Sequence, residues 1–532
     1  MRRKRHLFAA VAATAFGLAA ALPAAAQKPG GVLRVYHRDS PASMSILEEA
    51  TLSVLMPVMG VFNNLVVYDQ HVAQNSLASV RPELATDWSW NEDRTELTFR
   101  LRTGVKWHDG KPFTAADVKC TWDLLLGKSS DKLRLDPRRS WYENVKSVEA
   151  DGADTARFVL GRPQPALLAL LASGWSPVYP CHVPPVQMRH HPIGTGPFKF
   201  VEYKPNERIV VGRNPDYWKE GRPYLDGIEY TIIPNRSTAL LGFMAGKFDL
   251  TFPYDVSIPL LKEVRDQAPQ AECVLAPLNA TRNVIINREA PPFDNPEVRR
   301  AIQLSLDRKT FIDILGDGDG DIGGAMLPPP AGIWGLPPEK LADLPGYGPD
   351  FEKNRSEARA LMMKAGFGPD KPLAVKLAAR NIAIARDPAV ILIDQLKTIG
   401  IDAELEPVET ANWYPKLARK DYLIGLNLTA NAVDDPDQHL FEHYSCHSDR
   451  NVTGHCNPPL EEMFVRQSSE ADQEKRKELV WEIDRRLQQD GARPIIFHYK
   501  AATCLQPAVK NLTVMVNSIY NAWRFEDVWL DR

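Results

Sequence analysis

The hydrophobic pattern of this 532-residue chain changes character several times, and each change predicts an element. An apolar run from Leu7 to Leu22 follows the basic cluster Arg2, Arg3, Lys4 and Arg5, and Ala24, Ala25 and Ala26 precede Gln27. A basic head, a short apolar middle and a small-residue end predict a secretory leader cut between Ala26 and Gln27. The alternative, an uncleaved anchor, is disfavoured because the run falls short of the roughly 20 apolar residues of a spanning helix. Beyond it the period switches to two. Val32–Tyr36 and Thr95–Leu101 read as strands. Thr114 and Asp117 form a capping box for a helix carrying Val118, Trp122 and Leu125 on one face. Asn295-Pro296 opens another helix, with proline at its first position. Leu373, Val375 and Leu377 alternate as a strand. Asp387-Pro388 then starts a helix to about Ile399, which Gly400 ends, and Ile401, Ala403 and Leu405 alternate again. Strand, helix and strand at this spacing predict an α/β protein with a parallel sheet.

Composition narrows the class. A mature chain of about 500 residues exceeds one core, so two or three domains are expected. The 43 prolines favour many ordered loops. Loss of the leader removes four of the 64 basic residues and none of the 67 acidic ones, which leaves a net charge of −7. That balance gives no general attraction for nucleic acid or anionic membranes. In an oxidising compartment the six cysteines favour disulfides. Cys446 and Cys456 are the best pair, because the short loop between them holds Asn451 and Gly454. Cys120, Cys181, Cys273 and Cys504 cannot be paired from sequence. The rival reading, a zinc site with His447 and His455, is disfavoured because adjacent side chains diverge. The first cysteine is Cys120, so none stands at the cut to carry a lipid.

Catalytic motifs are sparse. The chain has no Gly-x-Ser-x-Gly elbow and no His-Glu-x-x-His helix. The run Asp317–Asp321 starts like a calcium loop, but Ile322 and Pro328 stand where such a loop needs glycine and glutamate. The adjacent His190 and His191 point apart. No enzyme activity, metal or cofactor is expected.

Three blocks resemble a known family: Leu97 to Val118, with Val105-Lys-Trp-His-Asp-Gly-Lys-Pro-Phe113 at its centre; Gly194 to Phe200 with Arg213 to Trp218 and Pro223 to Ile228; and Pro292 to Ile302 with Leu306-Asp-Arg308. Tyr347 to Gly366 and Asp435-Pro-Asp437 fit the same pattern. In order and length these resemble the peptide/nickel class of extracellular solute-binding proteins that serve ABC importers, family 5 of such proteins. Their bland roles are turns, close backbone approach at Gly194 and Gly196, and packing by Trp218 and Tyr224.

The resemblance implies the two-lobed periplasmic binding protein fold, type II in its large three-subdomain form. Lobe I would hold 27–280 and 500–532, with an inserted subdomain at about 70–190, and lobe II would hold 281–499. The chain would cross a double hinge near Pro277–Asn283 and near Pro494–Ala501. It further implies a cargo of short peptides or peptide-like solutes, delivered to inner-membrane permease subunits by a monomer in the periplasm. Relatives in the same class bind nickel chelates, haem, opines or oligosaccharides. A periplasmic chaperone and a periplasmic enzyme are the remaining alternatives.

The ligand is expected at strand ends facing the cleft. The aspartate that takes a peptide's amino group in the family falls on Ala432 here, and Asp434 replaces it if the loop is shifted by two residues. Asp434 and Asp435 are therefore candidates, with helix capping as their structural alternative. His37, Arg38 and Asp39 follow the first strand, and an arginine there suits a carboxylate. Trp413, beside Tyr414, and Trp175 are candidate stacking residues or core aromatics. Arg282, beside Asn283, lies at the expected hinge.

Overall fold

The computed structural model describes residues 27–532, so the candidate leader lies outside the described residues. Two sheet systems organise two lobes. In the first, the strand Val32–His37 pairs in parallel with Gly227–Ile232, which continues antiparallel to Arg208–Arg213 and Phe198–Lys204. A separate antiparallel sheet orders Ala85–Trp90, Glu96–Leu101, Thr155–Leu160 and Val145–Asp151. Its Leu97, Phe99 and Leu101 are buried while their neighbours face outward, as a strand with one covered face requires.

The second lobe is built on five strands in the order Ile401–Val408, Leu373–Arg380, Ile424–Ala430, Glu272–Ile286, Ile495–Leu505. Leu373–Arg380 runs parallel to Ile401–Val408, with Leu373 opposite Ile401, so the expected strand–helix–strand unit is present. Its helix spans Ala383–Lys397 and begins four residues before Asp387. Ile384 and Ala385 are buried and gain by joining the helix, which places Pro388 inside it.

Two long strands connect the lobes. Glu272–Pro277 pairs with Lys500–Leu505, and the register then shifts before Thr281 meets His498. Beyond the shift, Ala280–Ile286 pairs with Ile424–Ala430 of the second lobe. On the other side, Ala502 and Leu505 bridge to Val256 and Leu250 of the first lobe.

Local signals operate as read from the sequence. Thr114 and Asp117 close both halves of the capping box on the helix Ala115–Leu125. The Asn295 side chain accepts from the Glu297 amide at the head of the helix Pro296–Ser305. Gly196 is needed because a Cβ there would stand 2.5 Å from the Gly60 carbonyl oxygen. Cys446 pairs with Cys456, Cys120 with Cys181, and Cys273 with Cys504 across the two long strands. The acidic run is engaged by lysines: Lys262 meets Asp317, and Lys500 donates to Asp319 at 2.7 Å. Among the described residues no helix is long and apolar enough to cross a membrane.

Candidate functional site: the face between the lobes

The first strand leads three candidate side chains toward the second lobe. His37 turns back into its own core, where its ring meets Phe252 at 4.8 Å and Nε2 lies 2.9 Å from the Ser53 carbonyl. Burial lowers its pKa to about 4. Arg38 lies over the Phe252 ring at 4.5 Å and 3.9 Å from both Asp39 and Asp255. Asp39 crosses the gap. It accepts from Arg380 Nη2 at 2.7 Å and from the Thr410 hydroxyl, and on its own side from the Ser53 hydroxyl. Burial by itself would raise the Asp39 carboxyl, but Arg380, Arg38 and His37 outweigh it and hold it well below the usual carboxylate range.

A second bridge lies beside the first. Trp141 Nε1 donates to Glu442 Oε2 at 2.8 Å. Glu442 also accepts from Arg450 Nε at 3.0 Å and from Gln438 at 3.2 Å. The Arg450 guanidinium stands 4.2 Å over the Tyr414 ring. Trp175 lies on the facing lobe, with the Arg138 guanidinium 4.5 Å from its ring centroid and Tyr520 packed at 5.3 Å. The interlobe face is thus a run of aromatic rings, paired guanidinium groups and carboxylates. It can hold a solute by stacking and charge-assisted hydrogen bonds.

The remaining candidates separate. Asp435 caps the helix Pro436–His443 through the Asp437 amide, and Arg476 grips it at 2.8 and 2.7 Å, so its oxygens are committed. Asp434 lines a cavity of about 350 Å3 together with Tyr68, Asn75, Pro165 and Trp334. Its Oδ2 accepts from the Ile333 amide at 3.3 Å, and burial pushes its pKa up to about 7. Ala432 is fully buried. Its amide donates to Gln438 Oε1 at 2.7 Å and its carbonyl accepts from Ser518 and Asn521, both at 2.8 Å. Polar groups therefore hold the Ala432 backbone, and its methyl belongs to the hydrophobic core.

Trp413 does not join the face. It is fully buried in an apolar cluster with Ile285, Val408, Leu417 and Tyr422, and its neighbour Tyr414 reaches the gap instead. Helical geometry explains the swap, because successive side chains point about 100° apart. Arg282 lies away from the face, over the Tyr499 ring at 4.2 Å.

Open space between the lobes remains near Asp136. A cavity of about 570 Å3 separates the segment Leu133–Arg139 from the Cys446–Cys456 loop. A small void of about 40 Å3, lined by Glu49, Asp136, Tyr414 and Arg450, adjoins it through shared walls. Burial raises Asp136 to about 7, and Asp449 across the gap adds to the shift. The larger hollow of about 840 Å3 is confined to the second lobe, around Lys376, Glu406 and Lys416, so lobe closure cannot enclose it.

Sequence reasoning missed Arg380, Glu442, Arg450, Arg138 and Trp141. Arg380 carried a usable signal, since it ends a strand whose parallel neighbour was legible. Trp141 and Glu442 carried none, because they lie 301 positions apart, and Arg138 and Arg450 stand in segments with no periodic pattern to place them.

Comparison with known proteins places this geometry. Residues 79–451 match the model of bacterial extracellular solute-binding proteins, family 5 Middle, and the chain belongs to that family. The periplasmic murein peptide-binding protein MppA of Escherichia coli K12 is 24% identical over 508 residues, which cover 90% of this chain and 89% of that protein. Heme-binding protein A of Haemophilus influenzae is 27% identical over 409 residues, covering 71% of this chain and 70% of that one. The periplasmic binding protein DppA from Helicobacter pylori, solved in complex with peptide STSA, superposes with a TM-score of 0.83 at 21% identity. The match covers 95% of this chain and 99% of that one, and shares the two-lobed fold.

Proposed function

We propose that this chain is the periplasmic solute-binding component of an ABC importer. It takes up short peptides or peptide-like solutes between its lobes and presents the closed form to a membrane permease. The observation that carries this reading is the interlobe face itself: Asp39 meets Arg380 and Trp141 meets Glu442 across a gap spanned by two paired strands. In this reading lobe I comprises 27–280 and 500–532, with its inserted subdomain at about 70–190, and lobe II comprises 281–499. The register shift between Pro277 and Thr281 serves as the pivot. The protein acts as a monomer, after a leader is cut between Ala26 and Gln27, and turns nothing over.

Family membership supports solute binding, and the peptide-binding relatives support the ligand class. Ala432 supports a second reading, a non-peptide solute, as does the similarity to a protein named for heme. A micromolar affinity, about −8 kcal/mol, suffices to hold the lobes together and still release cargo.

Native mass spectrometry of the mature protein, challenged with a library of two- to five-residue peptides, tests the proposal. One-to-one adducts that vanish when the peptide amine is acetylated are expected. No adduct with any peptide would overturn the peptide reading and leave the solute-binding family assignment intact.

A further inference from the structure

A cavity of about 270 Å3 lies behind the interlobe face, where the two connecting strands pass between the lobes. Its polar lining is Arg236, Ser257, Arg282, Asp387 and Tyr499, and the rest is apolar, including Ile384. Arg282 and Tyr499 come from the connecting strands Glu272–Ile286 and Ile495–Leu505. Arg236 heads the helix Arg236–Met244 of the first lobe, and Asp387 sits in the helix Ala383–Lys397 of the second. The site therefore touches both lobes and both crossings.

Its charges do not balance. Arg236 pairs with Asp387 at 3.0 Å. Arg282 is 2% exposed, and neither its Nε nor its Nη1 has a hydrogen-bond partner among the described residues. Its guanidinium carbon stands 4.2 Å from the centroid of the Tyr499 ring, a cation–π contact that satisfies none of its N–H donors. A planar fork of N–H donors matches a carboxylate at two points. Burial lowers the Arg282 pKa to about 10, so the group keeps its charge at neutral pH. An unpaired buried charge is unfavourable, and a counter-anion is the direct remedy. At roughly 30 Å3 per water, the cavity has room for a small organic acid.

We propose that this cavity is a binding site for a small carboxylate anion, held in two-point fashion by Arg282 with Arg236 beside it, and separate from the solute face. Because its walls belong to both lobes and both connecting strands, the bound anion changes the free-energy difference between open and closed forms. That coupling makes the affinity for solute depend on the anion, and the reverse holds by linkage. The proposal does not rest on which solute the protein carries.

Acetate is the probe. The mature protein is unfolded thermally across an acetate series, with chloride holding ionic strength constant. Wild type is expected to show a saturable rise in Tm. Arg282→Met should fold, since it removes an unpaired buried charge, and should lose at least tenfold in apparent acetate affinity. Arg282→Lys, which keeps the charge and loses the fork, should also lose about tenfold, and Arg236→Gln less. If Arg282→Met fails to fold, Arg282→Lys carries the comparison. A wild-type Tm that does not saturate with acetate overturns the proposal, as does an equal acetate response in wild type and the Arg282 variants.

Discussion

Arg380 Nη2 stands 2.7 Å from Asp39 Oδ2, and the two residues belong to opposite lobes, 341 positions apart in the chain. Both side chains are less than a tenth exposed. Such a pair loses its hydration only when the lobes meet, so its geometry must return that loss in the closed form. The Thr410 hydroxyl, which Arg380 Nη2 also approaches at 2.9 Å, supplies part of the return. The pair works as a latch on closure and also defines where a solute must fit.

We predict that Asp39→Asn or Arg380→Met alone opens the protein, because each leaves one desolvated polar group unmatched. Breaking a buried pair one-sidedly costs about 3–5 kcal/mol. The double variant should be less impaired than the sum of the two. Solute affinity and scattering radius across the four proteins test this, and strictly additive effects would remove the latch from the account.

Asp434 gives a signed pH prediction. Its folded pKa, raised to about 7 by burial, exceeds the unfolded value of about 3.9, so the folded state binds the proton more tightly. Its contribution to stability is greatest below pH 4 and falls as pH rises through 7. Asp434→Asn should raise Tm at pH 7.5 and leave it unchanged near pH 4. If the solute's amine pairs with Asp434, the same variant loses tenfold or more in affinity, which calorimetry would read.

His439 behaves with the opposite sign. Burial lowers its pKa to about 3, with Arg493 and His498 adding to the shift, while Nδ1 lies 2.9 Å from Asn431 Oδ1. The folded state therefore binds its proton less tightly than the unfolded state, whose value is about 6.5. Its stabilisation is complete above pH 6.5 and is lost as pH falls toward 3. His439→Gln should be relatively more stable, against wild type, at pH 4.5 than at pH 7.5 in denaturant titrations. An unchanged gap between the two pH values would contradict the assignment.

Trp413→Ala separates packing from binding. A stacking role for Trp413 would make this variant weaken solute binding without unfolding the protein. Its position in the core reverses that expectation: a loss of about 3–5 kcal/mol in stability, with affinity per folded molecule unchanged. Tyr414→Ala, one residue on, should reduce affinity and leave stability nearly intact, since Tyr414 faces the gap under Arg450.

These contrasts mark how far the sequence could be read. The alternation at Leu373, Val375 and Leu377 and its repeat at Ile401 to Leu405 was legible because one apolar face forces a period of two. The capping box at Thr114 was legible because both partners lie three residues apart. Asp387-Pro388 misplaced a helix start, since proline ordinarily marks the first turn and buried Ile384 drew the helix further back. Trp413 and Tyr414 could not be told apart without knowing which helical face is covered. Glu442 was invisible as a site residue because Trp141, its partner, lies 301 positions away and leaves no periodic trace.

Closure of the lobes on solute changes the dimensions of the molecule, which small-angle X-ray scattering measures. Protein purified from periplasm would be measured as isolated, after unfolding and refolding to strip its cargo, and after that cargo is returned. The stripped protein should have a larger radius of gyration, and return of the cargo should restore the smaller value. Identical radii in all three states would contradict closure by solute.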